Sequence, residues 1–337
     1  MKRKMSGKLK MHVIKFLKII IPLVLGLFIL YILYRKTDFT NLWETIRTAN
    51  WTVLFISIPF CLAANTIRAL RWRLIILPLA YTPRRSNLIY AVLGSYAVNF
   101  AIPRGGEIWR CTVIASKEKI SLSKLIGTLL VDRIFDMLMV ILILLLAFLL
   151  NVKAFYEYAH HINLPEISFS TAFYAGLFAA VAVIVFVFIR FRKNKYIKKI
   201  HDFFVNLWKD MLSIKKMEEK GRFLIYTLAI WVLYFFYFYL TFYAFDFTFH
   251  LGISAGIFVF AINSLSMGIP SNGGLGPWQA ATVFGLSIFA VGNAQATAFA
   301  TTVFAVQSIG VVLTGLWGIG MLSLRKGSGK EASKTIS

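Results

Sequence analysis

The sequence predicts an all-α integral membrane protein: about six transmembrane helices plus two re-entrant broken-helix hairpins that form an inverted repeat. Three observations carry the prediction. Of 337 residues, 58% are hydrophobic and only 15% charged, outside the range of soluble domains. Apolar runs such as Phe16 to Tyr34 and Met137 to Leu150 reach or approach the roughly 20 residues a helix needs to cross hydrocarbon. Two Ile-Pro breaks, each followed closely by Gly-Gly, interrupt apolar stretches far apart in the chain.

Residues 1–15 form a basic N-terminus, and the run after it is a retained first span, too long for a signal-peptide core. Hydropathy places spans at 16–34, 51–67, 126–150, 171–189, 222–245 and 297–322, with interrupted apolar regions at 87–118 and 251–290. A single polytopic domain is expected over 16–324. Lys and Arg number 6 in residues 1–15, 5 in 68–87, 5 in 104–124, 11 in 190–222 and 4 in 325–337. The intervening loops at 35–50 and 151–170 hold only 3 and 1. By the positive-inside rule both termini are cytoplasmic, so each interrupted region enters and leaves on one face. Pro and Gly at the breaks favour hairpins, since non-helical backbone at membrane depth needs protein or water around it.

In the linker 190–221, Ile197, Ile200, Phe203, Phe204, Leu207 and Trp208 recur at spacings of three and four among basic residues, as in an interfacial amphipathic helix. The polar tail 325–337 is expected to be disordered. Formal charge is +23, which in so apolar a chain reports topology and contact with anionic headgroups, not nucleic acid. Cys61 and Cys111 lie in apolar surroundings and read as small buried hydrophobes.

The segments "SYAVNFAIPRGGEIWR" and "NSLSMGIPSNGGLGPWQ" align on Ile-Pro, making Pro103 and Pro270 equivalent. Three predicted crossings separate them, so they enter from opposite faces. In such inverted repeats, half-helix ends meet near the midplane and face an anion with their positive dipoles. Gly105, Gly106, Gly273 and Gly274 are expected to let backbone amides approach that group.

Arginine in hydrocarbon costs several kcal/mol, so Arg104, Glu107 and Arg110 are expected to face a polar cavity or one another. Glu107 and Arg110, three apart, are placed to pair on one helical face. Arg104 is then free to hold a phosphate in bidentate fashion. Asp132, Arg133 and Asp136 open the next span, the two aspartates one turn apart, and are placed to neutralise Arg104 or Arg110 or to staple hairpin to span. Asn99 and Asn272 flank the breaks, and Gln279 follows the second. The aromatic run Trp231 to Phe247 is read as lipid-facing rings and interfacial belt. His160 and His161, with Glu157 and Glu166 nearby, lack the spacing and ligand number of a metal site. No cofactor motif is present.

The motifs "NFAIPRGGEIWR" (Asn99 to Arg110), "VDRIFD" (Val131 to Asp136) and "GIPSNGGLGPWQAA" (Gly268 to Ala281) resemble the transmembrane region of lysylphosphatidylglycerol synthases, also found as stand-alone flippase-like proteins. The resemblance covers nearly the whole chain. It implies movement of a modified or anionic lipid, with substrate-binding residues among Asn99, Arg104, Gly105, Gly106, Glu107, Arg110, Asp132, Arg133, Asp136, Asn272, Gly273, Gly274 and Gln279. Asn272 stands where Pro often precedes the glycines, and Gln279 where an acid is common. The large soluble domain of the fused members is absent from this sequence, so lysyl transfer is not expected.

The leading expectation is therefore a flippase of the cytoplasmic membrane for a phospho- or polyprenyl-phosphate-type lipid, whose partners are membrane lipids with anionic headgroups and a possible lipid-modifying enzyme. The rivals are a membrane enzyme on lipid-linked substrates and a non-transporting scaffold for a separate synthase. An enzyme needs paired carboxylates or a nucleophile with its base. The sequence shows no clear constellation of that kind.

Overall fold

The computed structural model describes residues 7–35, 39–154 and 219–325. Every regular element among them is helical: α1 Gly7–Tyr34, α2 Phe39–Arg47, α3 Trp51–Ile76, α4 Arg85–Ala101, α5 Gly105–Glu118, α6 Leu122–Leu150, α7 Lys220–Tyr239, α8 Asp246–Phe249, α9 Ile253–Ser266, α10 Pro277–Ser287 and α11 Asn293–Leu324. Contacts divide the chain into one unit of residues 1–150 and 221–337 and another of 151–220. Most of the second lies outside the described residues. So do the expected span 171–189, nearly all of the amphipathic linker, and the tail beyond Arg325.

Among the described residues, four stretches are long and apolar enough to cross a membrane: Trp51–Leu79, Leu122–Leu150, Lys220–Ala244 and Asn293–Leu324. The chain is a multi-pass membrane protein. α6 shows why. Its 29 residues are almost entirely Leu, Ile, Val, Met and Phe after Asp136, and Met137, Leu142, Leu145 and Leu149 stand exposed as a lipid-facing stripe. α3 begins where the Asn50 side chain accepts the Val53 amide at 3.3 Å, an N-cap. The expected end of that span at 67 is corrected: the helix runs on through three arginines, Arg68, Arg71 and Arg73, to Ile76.

Both interrupted regions are helix pairs. The first is α4 and α5, of 17 and 14 residues; the second is α9 and α10, of 14 and 11. Each limb is shorter than the roughly 20 residues of a full crossing. α4 ends at Ala101 because Pro103 lacks an amide to continue the ladder, and α10 restarts with Pro277 at its first position.

The 32-residue α11 is the rail along which one limb of each pair, α4 and α10, lies. Ala97 packs on Gly315, Tyr90 and Leu93 on Gly318, and Ser86 meets Arg325, so α4 runs antiparallel along the C-terminal half of α11. Trp278 of α10 meets Phe304 in its N-terminal half, with ring centroids 5.6 Å apart. The two hairpins thus occupy opposite halves of one helix and their tips meet beside its middle.

Trp72, Ile76, Leu88, Val92, Cys111, Ile114, Leu125 and Leu129 fuse α3, α4, α5 and α6 into one core. Aromatics of the run on α7 and the turn after it build another, which corrects the expectation of a lipid-facing belt in part: Phe238 and Phe242 are buried against Phe299, while Phe236 and Tyr243 stay exposed. Both cysteines are buried and free.

Candidate functional site

α3 places Arg68 and Arg71 three residues apart on one helical face, and α6 places Asp132 and Asp136 four apart on another. The two faces meet. Arg71 Nη2 donates to Asp132 Oδ1 at 2.5 Å and to Asp136 Oδ1 at 2.7 Å, while Arg68 Nη2 donates to Asp136 Oδ2 at 2.8 Å. From α5, Arg110 Nη2 donates to Asp132 Oδ2 at 3.2 Å. These five side chains are buried, and Asp136 is the middle residue of α6. Charges at such depth are tolerable only when paired.

Surrounding groups fix each guanidinium. Arg110 lies over the Trp72 ring at 4.6 Å, and Trp72 Nε1 donates to Thr128 at 3.0 Å. Arg71 reaches Thr227 Oγ1 of α7 at 3.4 Å. Arg68 lies over Tyr234, whose hydroxyl donates to Asn65 Oδ1 at 2.6 Å and meets the Tyr96 hydroxyl at 3.0 Å. A polar strand of side chains therefore runs from the ion pairs to α4, one turn before the first break.

The cluster opens at one edge. Arg133 Nε lies 2.9 Å from Glu107 Oε1, and its Nη1 lies 3.4 Å from Asp136, the side chains of Arg133 and Glu107 being 39% and 29% exposed. The expected local pairing of Glu107 with Arg110 is thus replaced by two longer-range pairs. Arg110 turns inward to Asp132, and Glu107 turns outward to Arg133. Helical neighbours lose here because a buried aspartate outweighs a half-exposed glutamate as a partner for a desolvated guanidinium.

At the tips, Gly273 N donates to Asn99 O at 3.1 Å, Asn272 Nδ2 to Phe100 O at 3.1 Å, and Arg104 to Gly268 O. Arg104 has φ 57°, a left-handed conformation costly for a side-chain-bearing residue, and its side chain is exposed. It does not join the aspartates. The open polar cavity expected between the hairpins is replaced by direct tip-to-tip contact. A depression of about 360 Å³ lined by Glu44, Thr48, Asp246 and Gln295 lies instead at the start of α11.

The amides of Gly105, Gly106 and Gly273 have partners within the chain, which takes them from the anion cradle expected of them. Gly105 N donates to Ile102 O at 2.9 Å and Gly106 N to Asn99 Oδ1 at 2.9 Å. A Cβ on Gly106 would stand 1.8 Å from Ser95 O, and one on Gly273, which has φ +62°, 2.4 Å from the Phe100 ring. They let the limbs and the tips close on one another. One on Gly274 would meet the Met267 sulfur at 2.9 Å. Gln279 Oε1 accepts the Gly276 amide at 2.8 Å and so caps α10. Asn272 Oδ1 is buried without a hydrogen-bond partner among the described residues.

The residues singled out from the sequence therefore fall into two groups. Glu107, Arg110, Asp132, Arg133 and Asp136 share the charged cluster, while Asn99, Arg104, Asn272, Gly273, Gly274 and Gln279 form the tips. The first turn of α5, from Gly105, joins them. Arg68 and Arg71 escaped sequence reading because they follow an apolar run and count as loop charges. The signal was their three-residue spacing opposite the four-residue spacing of the aspartates.

A family model described as lysylphosphatidylglycerol synthase TM region matches residues 19–315. No curated protein matches the chain, and no solved structure does.

Proposed function

The chain belongs to the lysylphosphatidylglycerol synthase transmembrane-region family, membrane proteins of lipid metabolism or transport, and from that premise we propose that it is a lipid translocator. Its cargo is an anionic or modified lipid of the phospho- or polyprenyl-phosphate type, moved across the cytoplasmic membrane. The observation that carries the reading is the buried set of three arginines, Arg68, Arg71 and Arg110, held by two aspartates beside a broken helix pair. Guanidinium groups at membrane depth bind phosphate well, and burying them without use is costly.

In this reading the headgroup enters at the Arg133–Glu107 edge, exchanges with the carboxylates for the arginines, and passes the tips when they part. Its acyl or prenyl tails stay in the bilayer. The hairpins are re-entrant from opposite faces, a reading supported by their places along opposite halves of α11. One moving against the other gives alternating access. The distribution of Lys and Arg supports cytoplasmic termini. Asp132 and Asp136 each accept from two arginines, which suits charge balance better than proton transfer. We therefore assign no catalytic step to the chain.

Headgroup transfer in proteoliposomes tests the proposal. Wild type is expected to move an anionic fluorescent phospholipid, and Arg133→Gln and Arg104→Ala each to lower the rate about tenfold, the scale of one lost charge-assisted contact. Equal rates for wild type, both variants and empty liposomes would remove it.

A further inference from the structure

One buried acid lies apart from the ion-paired cluster. Glu118, the last residue of α5, is 8% exposed, and Asn87, in the first turn of α4, is 1% exposed. Asn87 Nδ2 donates to Glu118 Oε1 at 2.5 Å. Among the described residues no other donor reaches this carboxyl and no cation pairs with it, although a carboxylate has room for about four hydrogen bonds. Leu88, beside Asn87 in sequence, Ile114, one turn before Glu118, and Ile120, just after it, belong to the buried apolar core. A carboxylate in such surroundings is costly unless it is paired or takes up a proton.

A second observation identifies the missing component. Asn87 Oδ1 is buried and accepts no hydrogen bond among the described residues. A carboxylic acid and a primary amide have complementary edges: the amide N–H donates to the acid carbonyl while the acid O–H donates to the amide oxygen. Asn87 and Glu118 already form the first of these bonds. The second needs only a proton on Glu118, and it satisfies the orphaned oxygen and the bare carboxyl together. Turning the amide over would put Oδ1 against Glu118 Oε1 at the same separation, and two oxygens so close also need a proton between them.

The charged and titratable groups on the elements packed about the pair are engaged elsewhere. Arg73 donates to Pro83 O at 3.2 Å, Lys117 to Arg325 O, and Arg325 to Ser86 while lying over the Tyr90 ring. Lys124 lies over the Tyr81 ring at 5.0 Å, and Cys111, two turns back along α5, donates to Leu125 O. Arg84, Arg85 and Lys119 are exposed.

We propose that Glu118 is a proton-binding site. Its carboxylate takes one proton from solvent, the acid O–H donates to Asn87 Oδ1, and the doubly bonded pair closes the base of the first hairpin, the end of α4 and α5 away from the tips. When the proton leaves, one of the two bonds is lost and the base loosens. The proposal stands apart from the lipid reading, since it concerns neither the ion-paired cluster nor the tips.

Infrared difference spectra of the full chain in liposomes, acid minus alkaline buffer, read protonated carboxyls directly. Wild type is expected to show a buried carboxylic-acid band that Glu118→Gln removes. The glutamine amide can make both bonds to Asn87 without a proton, so this variant holds the closed form at every pH. Its unfolding temperature is expected to match wild type in acid and to exceed it in alkali by about 2–4 °C, the scale of one hydrogen bond. Should Glu118→Gln not fold, Asn87→Ala reads the pair from the other side: the band is expected to move as the acid loses its amide.

A wild-type spectrum without a Glu118-dependent band would overturn the inference, as would a band that ignores Asn87→Ala. An equal offset in unfolding temperature between Glu118→Gln and wild type in both buffers would reduce the pair to a structural bond and overturn it too. So would stabilisation of wild type by sodium chloride over choline chloride that Glu118→Gln abolishes, which would give the site to a metal cation instead of a proton.

Discussion

Arg71 and Asp132 are joined at 2.5 Å by two side chains that are both wholly buried. Such a pair stabilises little against a well-packed apolar substitute, yet breaking it strands a charge. Asp132→Asn is therefore expected to destabilise the protein by about 3–5 kcal/mol, because Arg71 and Arg110 both lose their carboxylate. The double change Arg71→Met with Asp132→Leu is expected to recover only part of that loss, since Arg110 still lacks its carboxylate. Thermal unfolding in detergent, followed by tryptophan fluorescence, measures both.

At the half-exposed edge the same chemistry has a different scale. Removing the Glu107–Arg133 pair by Arg133→Gln is expected to change stability by about 1 kcal/mol or less, since solvent screens it. Its effect on headgroup transfer is expected to be larger than its effect on unfolding temperature. Measuring both on one preparation separates a ligand role from a structural one.

Much of the architecture was legible because its signals are local. Proline without an amide, glycine pairs, and apolar runs of membrane length fix the breaks and the spans wherever they occur. The charged cluster was legible only in part, because pairing across helices is non-local. Arg110 looked like the natural partner of Glu107, three residues away, but three-dimensional proximity gave it Asp132. Arg68 and Arg71 looked like cytoplasmic loop charges because hydropathy scores an arginine the same whether it is solvated or ion-paired. The glycines were read as ligand contacts, yet the absent side chain serves helix packing at Gly106 and tip closure at Gly273.

Gly106 makes a clean packing test. In Gly106→Ala the new methyl would overlap the Ser95 carbonyl, which is backbone and cannot rotate away, so the limbs of the first hairpin must separate. The expected cost is about 1–3 kcal/mol. Gly127, on α6, has open space where its Cβ would be, and Gly127→Ala is expected to be neutral or to stabilise by up to about 1 kcal/mol through helix propensity. Unfolding curves for the two alanine variants check the contrast.

Gly273 tests the tip. Gly273→Ala meets both a left-handed backbone and the Phe100 ring, and is expected to cost about 1–2 kcal/mol from the backbone alone. Adding Phe100→Ala removes the steric part but not the backbone part, so the double variant is expected to lie between wild type and the single variant once the lost ring burial is subtracted with Phe100→Ala alone. A double-mutant cycle on unfolding temperature gives the coupling.

The most direct measurement on the whole account is headgroup transfer with the tips locked. Phe100→Cys and Asn272→Cys, in a chain whose buried Cys61 and Cys111 are replaced by alanine, place two thiols where the tips now touch. Joined by a short cleavable bis-thiol reagent, the protein is expected to stop moving anionic lipid in proteoliposomes, and cleavage of the link to restore the rate. Undiminished transfer with the link in place would contradict the claim that the headgroup passes between the two breaks.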